Sequence, residues 1–543
     1  MLTCGEALVQ LLEAYGVDTV FGIPGVHTVE LYRGLPATRI THVTPRHEQG
    51  AGFMADGYAR VTGKPGTCFI ISGPGMTNIL TAMGQAYADS VPMLVISSVN
   101  RREQLGLGEG RLHELPSQRN MVAGVSAFSH TLQQPDELPR VLARAFAVFR
   151  GARPRPVHIE IPIDVITAPA DHLMLEAAAL PAPPAPDAAL VDAAAELLAA
   201  TQQPVVLLGG GAADHAEAAR ALVEALDAPT TCTVNAKGLL PKGHPLALGS
   251  TQSLDPVRKL VREADVVLAI GTELGETDYD AVFDGNFRID GRLIRVDIDA
   301  EQLQRNHLAH LAIVSDAGRF MQALLERLSI PSATPSATPA AAATPTPGQQ
   351  RVADIQRQLA PEWPPAWRTQ QRVLELVQRT LPGAIVVGDS TQPVYSGNFL
   401  YEAESPRSWF NSSTGYGTLG YGLPAAIGAK LAAPHRHVVS LIGDGGIQFT
   451  LPELASAVET KTPIVILLWN NQGYGEIKRY MQEREIPTIG VDIYTPDLVA
   501  IARGYGCEAH TATGLDHLER LLQQAKEADG PWLIEVREEG DFA

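Results

Sequence analysis

Short apolar runs that stop at turn-forming polar residues recur along the whole chain, with helix-period stretches between them. Over residues 1 to about 165 the pattern predicts helices at Ala7–Ala14, Gln49–Arg60 and Asn78–Ala88. It predicts strands at Thr19–Phe21, Thr67–Ser72, Met93–Ser97 and Val157–Ile161. Runs without polar alternation belong to strands buried on both faces, and their interleaving with helices predicts a doubly wound parallel sheet. The segment Pro181–Pro186 interrupts the pattern, which resumes with predicted strands at Pro204–Leu208, Val266–Ile270 and Leu293–Asp297. A second interruption, from Pro331 to Gly348, is too poor in large apolar residues to bury a core and reads as an exposed linker. Beyond about residue 366 further strands are predicted at Ala384–Val387, Val438–Ile442, Ile464–Trp469 and Trp532–Val536. The expected architecture is α/β throughout: three doubly wound parallel-sheet domains at 1–180, 187–330 and 366–543, with a Pro/Ala/Thr linker at 331–350.

Two of these runs carry chemistry. Ser440-Leu441-Ile442-Gly443-Asp444-Gly445-Gly446 delivers a carboxylate to the carboxyl edge of a sheet, where open α/β sheets bind ligands. Val465 to Gly473 delivers Asn470-Asn471-Gln472-Gly473 in the same way. The 24 residues between Gly445 and Asn470 suffice for a crossover helix, suggested over Thr450–Thr460, so the two loops can be neighbours. Asp444 supplies a hard carboxylate, Asn471 a neutral amide oxygen, and glycines let main-chain groups approach closely, a set suited to Mg²⁺ carrying a diphosphate. A bare turn followed by a helix cap is the alternative reading of the same residues.

Composition narrows the class. With 45% hydrophobic and 19% charged residues in 543, the chain has the balance of a soluble multidomain protein. A formal net charge of −18 argues against nucleic acid or an anionic membrane as the main partner. Cys4, Cys68, Cys232 and Cys507 are scattered without disulfide-framework or zinc spacing, as expected of reduced cytosolic thiols. With no signal-peptide pattern and no apolar stretch of membrane-spanning length, a cytoplasmic enzyme is expected.

The Gly-Asp-Gly and Asn-Asn pair resembles the metal and diphosphate signature of thiamine diphosphate (ThDP) enzymes. The order of units resembles the pyrimidine-binding, central and diphosphate-binding domains of the acetolactate synthase and 2-oxo acid decarboxylase superfamily. The resemblance implies ThDP and Mg²⁺ as cofactors, with Asp444, Asn471 and Gly473 as metal ligands. It implies that Glu48, in Arg46-His47-Glu48, hydrogen-bonds N1′ of the aminopyrimidine and so favours the imino tautomer that activates the thiazolium. Pro24 and Gly25, with Asn78 in the turn that begins at Ser72, are assigned to the pyrimidine and substrate side of the pocket. Thr391, Gln392, Gly445 and Gly446 are assigned to the diphosphate. Gly417 offers its main-chain oxygen to the 4′-amino group, and Leu419 holds the cofactor bent. A homodimer or homotetramer is also implied, with Glu48 of one chain facing Asp444 of another.

Three stretches bear on the reaction. Acetolactate synthases carry a flavin-contacting arginine just after the central strand that corresponds to Val266–Ile270. Here Gly271 to Asp280 is acidic, which argues against flavin and against that activity. Leu112-His113 resembles half of the Leu-His-His of pyruvate-type decarboxylases, so His113 either shuttles a proton to the decarboxylated intermediate or is a surface histidine. Glu476 and Tyr480 share a helix face over the expected thiazolium site. Glu476 protonates the carbanion, pairs with a cationic substrate tail, or faces solvent beside Lys478 and Arg479. The expected activity is ThDP- and Mg²⁺-dependent non-oxidative decarboxylation of a small-molecule 2-oxo acid to an aldehyde. General likeness over Phe21–Leu35 and Asn470–Tyr480 is to decarboxylases of 5-guanidino-2-oxopentanoate, which yield 4-guanidinobutanal in arginine catabolism. The alternatives are an acetolactate-synthase-like carboligase and a catalytically silent ThDP-binding assembly subunit; the presence of Glu48, Asp444 and Asn471 counts against the second.

Overall fold

Each long apolar run becomes an inner strand of a parallel sheet. The computed structural model describes residues 1–281, 283–328, 344–359 and 363–542. The first sheet comprises β1 (Thr19–Gly22), β2 (Thr41–Val43), β3 (Gly66–Ile70), β4 (Met93–Val99), β5 (Phe128–Thr131) and β6 (Val157–Pro162), in the order β2-β1-β3-β4-β6-β5. The second comprises β7 (Pro204–Leu208), β8 (Thr230–Cys232), β9 (Val266–Ile270), β10 (Arg292–Asp297) and β11 (Leu311–Val314), in the order β11-β10-β9-β7-β8. The third comprises β12 (Ile385–Gly388), β13 (Trp409–Asn411), β14 (Val438–Gly443), β15 (Val465–Asn470), β16 (Glu508–Ala512) and β17 (Trp532–Arg537), in the order β13-β12-β14-β15-β17-β16. Every described register is parallel. The chain is thus α/β with three doubly wound sheets, as the hydrophobic pattern predicts.

The chain divides into two compact units. One contains Met1–Ala182, Val377–Val394 and Asn411–Ala543, the other Pro183–Leu376 with Tyr395–Phe410. In the second unit, adjacent residues of β7 serve opposite layers: Val206 and Leu208 pack with Leu222 and Phe320, Val205 and Leu207 with Val257 and Val352. Alternate side chains of a strand leave opposite faces, so a strand covered on both sides reads as an unbroken apolar run. Residues 331–343 of the expected linker lie outside the described residues. Its end is corrected: Pro347–Leu359 is a helix, and its Val352, Ile355 and Leu359 are core residues of this unit.

In the first unit, helices Glu48–Thr62 and Gly422–Ala432 cross at very close range. A β-carbon on Gly57 would lie 2.0 Å from Ala425 O, and one on Gly428 would lie 1.9 Å from Met54 O, so both positions require glycine. Beside the crossing, Arg60 pairs with Asp56 at 2.6 Å and with Asp89 at 2.5 Å, and the Tyr421 hydroxyl donates to Asp56. All four side chains are buried. Removing one partner of such a cluster leaves a charge without solvent or counter-ion, so the cluster fixes this packing against alternatives.

Candidate active site

Strand register brings the metal-type residues together. Gly443 at the end of β14 pairs with Trp469 of β15, so Asp444 and Asn471 leave the same sheet edge side by side. Asp444 is 1% exposed; its Oδ2 accepts from the Thr495 hydroxyl at 2.8 Å and its Oδ1 from Asn471 N at 3.3 Å. Burial pushes its carboxyl above the usual carboxylate range, because the charged form is deprived of water. The Asn471 amide nitrogen donates to Gln392 Oε1 at 3.2 Å. That turns its oxygen towards two others, 2.9 Å from Gly473 O and 3.2 Å from Asp444 Oδ1. Three acceptors so close repel one another. Turning the amide over would let its nitrogen donate to both, whereas a cation among them would be coordinated by all three in the present orientation. An oxygen-only set with one charge fits Mg²⁺. Gly473 has φ +153°, and a β-carbon there would lie 2.4 Å from Val491 O, so only glycine holds that carbonyl in place.

Around this centre lie the diphosphate-type residues. Gly445 and Gly446 are buried in the short helix Asp444–Ile447. Thr391 is buried and Gln392 is half-buried at the start of helix Gln392–Leu400. Asp389, a residue of the Gly388–Gln392 motif to which the sequence assigned no role, lies beneath them fully buried. It accepts from Ser390 N and Gly422 N, both at 2.9 Å, and burial raises its carboxyl to about 6. Gly417, exposed and at φ +75°, anchors its loop by donating from N to Ser412 O at 2.9 Å, and Leu419 is half-buried two residues on.

A second cluster lies at the carboxyl edge of the first sheet. Glu48 opens helix Glu48–Thr62 with a buried side chain, and its Oε2 accepts from Asn78 Nδ2 at 2.9 Å. Asn78 thus touches the glutamate. The loop bearing exposed Pro24 and half-buried Gly25 is fixed by a 3.1 Å bond from Gly25 N to the Thr28 hydroxyl. His27 lies two residues beyond Gly25, its Nδ1 2.7 Å from the Ser72 hydroxyl and its ring edge-on to His113 at 5.3 Å. Burial, then the neighbouring His113, holds His27 below the usual imidazole range. His113 has φ +59°, and its buried Nδ1 has no protein partner.

Two residues of this cluster carry no sequence signal. His27 stands in no recognisable spacing, and its neighbours Ser72 and His113 arrive only by folding. Glu453, 1% exposed, accepts from Arg46 N at 3.0 Å and His47 N at 3.1 Å, and so caps the helix that begins with Glu48. Burial raises its carboxyl to about 7.

The third group is more exposed. Glu476 is half-buried on helix Gly475–Glu483, which has no buried residue, and its carboxylate is paired with Arg479. Arg479 also reaches Glu483 at 2.6 Å. Tyr480 is exposed, with Arg484 over its ring. Large apolar side chains on the site-bearing loops face solvent: Val26, Leu112, Tyr416, Phe449 and Ile477 are all more than half exposed. Among the described residues, no cluster of three or more His, Cys, Asp or Glu side chains that could hold a metal is found, so the Asp444, Asn471 and Gly473 oxygens stand as the candidate.

Comparison with known proteins identifies the family. Residues 2–125 match the N-terminal TPP binding domain of thiamine pyrophosphate enzymes, 191–324 their central domain, and 389–536 their C-terminal TPP binding domain. The chain is 49% identical over 539 residues to the probable 2-ketoarginine decarboxylase AruI of Pseudomonas aeruginosa, covering 99% of this chain and 94% of that protein. It is 33% identical to the acetolactate synthase isozyme 1 large subunit of Escherichia coli, over 98% of this chain and 94% of that one. It is 32% identical to the acetolactate synthase large subunit of Corynebacterium glutamicum, over 98% and 86%.

Proposed function

The chain belongs to the thiamine pyrophosphate enzymes, and from that premise we propose that it decarboxylates 5-guanidino-2-oxopentanoate (2-ketoarginine) without oxidation, releasing CO₂ and 4-guanidinobutanal. The observation that carries the choice is near-full-length likeness at 49% to a probable 2-ketoarginine decarboxylase, against 33% and 32% to acetolactate synthases. Arginine catabolism is the corresponding setting. The family matches also support the division into 1–180, 187–330 and 366–543.

Thiamine diphosphate, when bound, supplies an electron sink for the pair left behind as CO₂ departs. The chain's own residues bind and orient. Asp444, Asn471 and Gly473 O would hold Mg²⁺, and Thr391, Gln392, Gly445 and Gly446 would flank the diphosphate. Glu48 would share a proton with N1′ of the aminopyrimidine, held in place by Asn78 and by the helix start that Glu453 caps. His27, whose neutral form burial favours, lies with its ring edge-on to His113, and the two imidazoles would offer the substrate side of the pocket a place to hold or pass a proton. Glu476 would receive the substrate's guanidinium only by exchanging it for that of Arg479.

The large apolar side chains exposed on the site loops support a homodimer or homotetramer, since a second subunit covering them would take their surface out of water. A cytoplasmic location is part of the same reading, supported by four free cysteines. No helix among the described residues is long and apolar enough to cross a membrane. The test is CO₂ release from a series of 2-oxo acids with ThDP and Mg²⁺ present or withheld. Release that needs both cofactors, with the guanidino substrate preferred, supports the reading. Release indifferent to them, or a preference for pyruvate, overturns it.

A further inference from the structure

The second compact unit holds a cavity that the proposed reaction does not use. Its volume is about 220 Å³, and it lies beside the outer strand β8, between residues 237–243 and 399–403. Leu240, Leu248, Trp363 and Phe399 give it apolar walls. Lys237 lines it and is only 4% exposed. The Lys237 ammonium donates to Tyr401 O at 2.7 Å, which uses one of its three N–H groups. Among the described residues no carboxylate lies within ion-pair distance of it; Glu402 and, less strongly, Asp278 act on its charge from farther off, and Asp278 also accepts from Val234 N at 2.9 Å.

A buried ammonium with spare donors is costly unless an anion meets it, and the cost shows in Lys237, which burial pushes down to about 8. The structure retains the cation all the same, in a pocket where two lysines, Lys237 and Lys242, line the wall against the one carboxylate of Glu402. We infer that this cavity binds a small monocarboxylate with an apolar tail, its carboxylate on the remaining donors of Lys237 and its tail against Trp363 and Phe399. A charge-assisted bond at a desolvated end and apolar contact along the rest is the usual composition of a small-molecule site. Cys232 also lines the cavity and is half-buried, whereas Cys4, Cys68 and Cys507 are buried, so it offers a local reporter.

The test uses the full-length holoenzyme with hexanoate as probe and hexanamide as its neutral control. Alkylation of Cys232, located by peptide mass, should slow about tenfold at hexanoate near ten times its dissociation constant, because only the unoccupied fraction reacts. Hexanamide should protect far less. Lys237→Met should weaken the hexanoate protection about tenfold or more while leaving turnover of the 2-oxo acid intact, and Lys237→Arg should keep the protection. Equal protection by acid and amide, or none by either with calorimetry also silent, overturns the inference without recourse to any variant. Hexanoate inhibiting turnover while Cys232 reacts unprotected would put the acid in the active site instead, which also overturns it.

Discussion

Replacing Glu453 with Gln should abolish a pH dependence of stability whose size follows from the structure. The carboxyl is raised to about 7 against an ordinary value of 4.5. With the folded value above the unfolded one, the protonated carboxyl stabilises the fold fully below about pH 4.5. That contribution fades as pH rises through 7. Linkage over pH 5 to 8 gives a loss of about 2–3 kcal/mol in the wild type, and none from this position in Glu453→Gln. The substitution is isosteric: its amide oxygen can take the Arg46 and His47 N–H groups, and its NH₂ can donate to the Ser456 hydroxyl, which reaches Thr44 O at 3.2 Å. For a unit of roughly 330 residues the difference amounts to about 3–4 °C in melting temperature between the two pH values. Scanning fluorimetry of the apo protein at pH 5 and pH 8, read as the wild-type shift minus the variant shift, measures it. Parallel shifts in both proteins would refute the raised carboxyl. Glu453→Ala should be worse than Gln at every pH, by about 1–3 kcal/mol for each N–H left without an acceptor.

Glu48→Gln should leave folding and cofactor binding nearly intact while lowering turnover by about 10²–10⁴-fold, the usual contribution of a positioned proton-transfer group; full activity in a folded variant would remove Glu48 from that role. Asp444→Ala should raise the Mg²⁺ and ThDP requirements together, and independent changes in the two would argue against a shared site. Mixing these two inactive proteins under demonstrated subunit exchange should restore part of the activity, because one hybrid site would then contain intact Glu48 and intact Asp444; no recovery would mean that each site is built within one chain. Glu476→Gln should depress kcat/KM for 5-guanidino-2-oxopentanoate by a factor equivalent to about 1 kcal/mol, because the substrate's guanidinium would only replace that of Arg479 on a partly exposed carboxylate, while sparing a neutral 2-oxo acid of similar length; equal losses would assign Glu476 to the common chemistry.

The hydrophobic pattern reveals inner strands and misses outer ones. β1, β3, β4 and β6, β7, β9 and β10, and β12, β14, β15 and β17 are all predicted, and each has a neighbour on both sides. β2, β5, β8, β11, β13 and β16 are the sheet edges, and none is predicted. The reason is burial: Val465–Asn470 is buried at every position, whereas Leu311–Val314 has one buried residue and Thr41–Val43 ends in its only one. Such edge strands lack the two-sided cover that writes an apolar run, whereas β13, buried at all three positions, is too short to write one. Chemistry follows a similar division. Asp444, Asn471 and Gly473 are legible because a local spacing carries them. Glu453 is not, since the N–H groups it caps belong to residues about 400 positions away and a lone glutamate at a helix start has an ordinary explanation. The crossover helix expected over Thr450–Thr460 is shorter, Glu453–Glu459, with Pro452 just before it.

In the reaction proposed for this chain, an aldehyde is released after CO₂ loss and the fragment is not joined to a second 2-oxo acid. Product analysis after complete turnover of 5-guanidino-2-oxopentanoate, alone and with excess pyruvate, tests it most directly. One 4-guanidinobutanal for each CO₂, unchanged by pyruvate and with no flavin in the purified protein, is the predicted result. Acetohydroxy acid formed in place of aldehyde, above all with stoichiometric bound flavin, would contradict it.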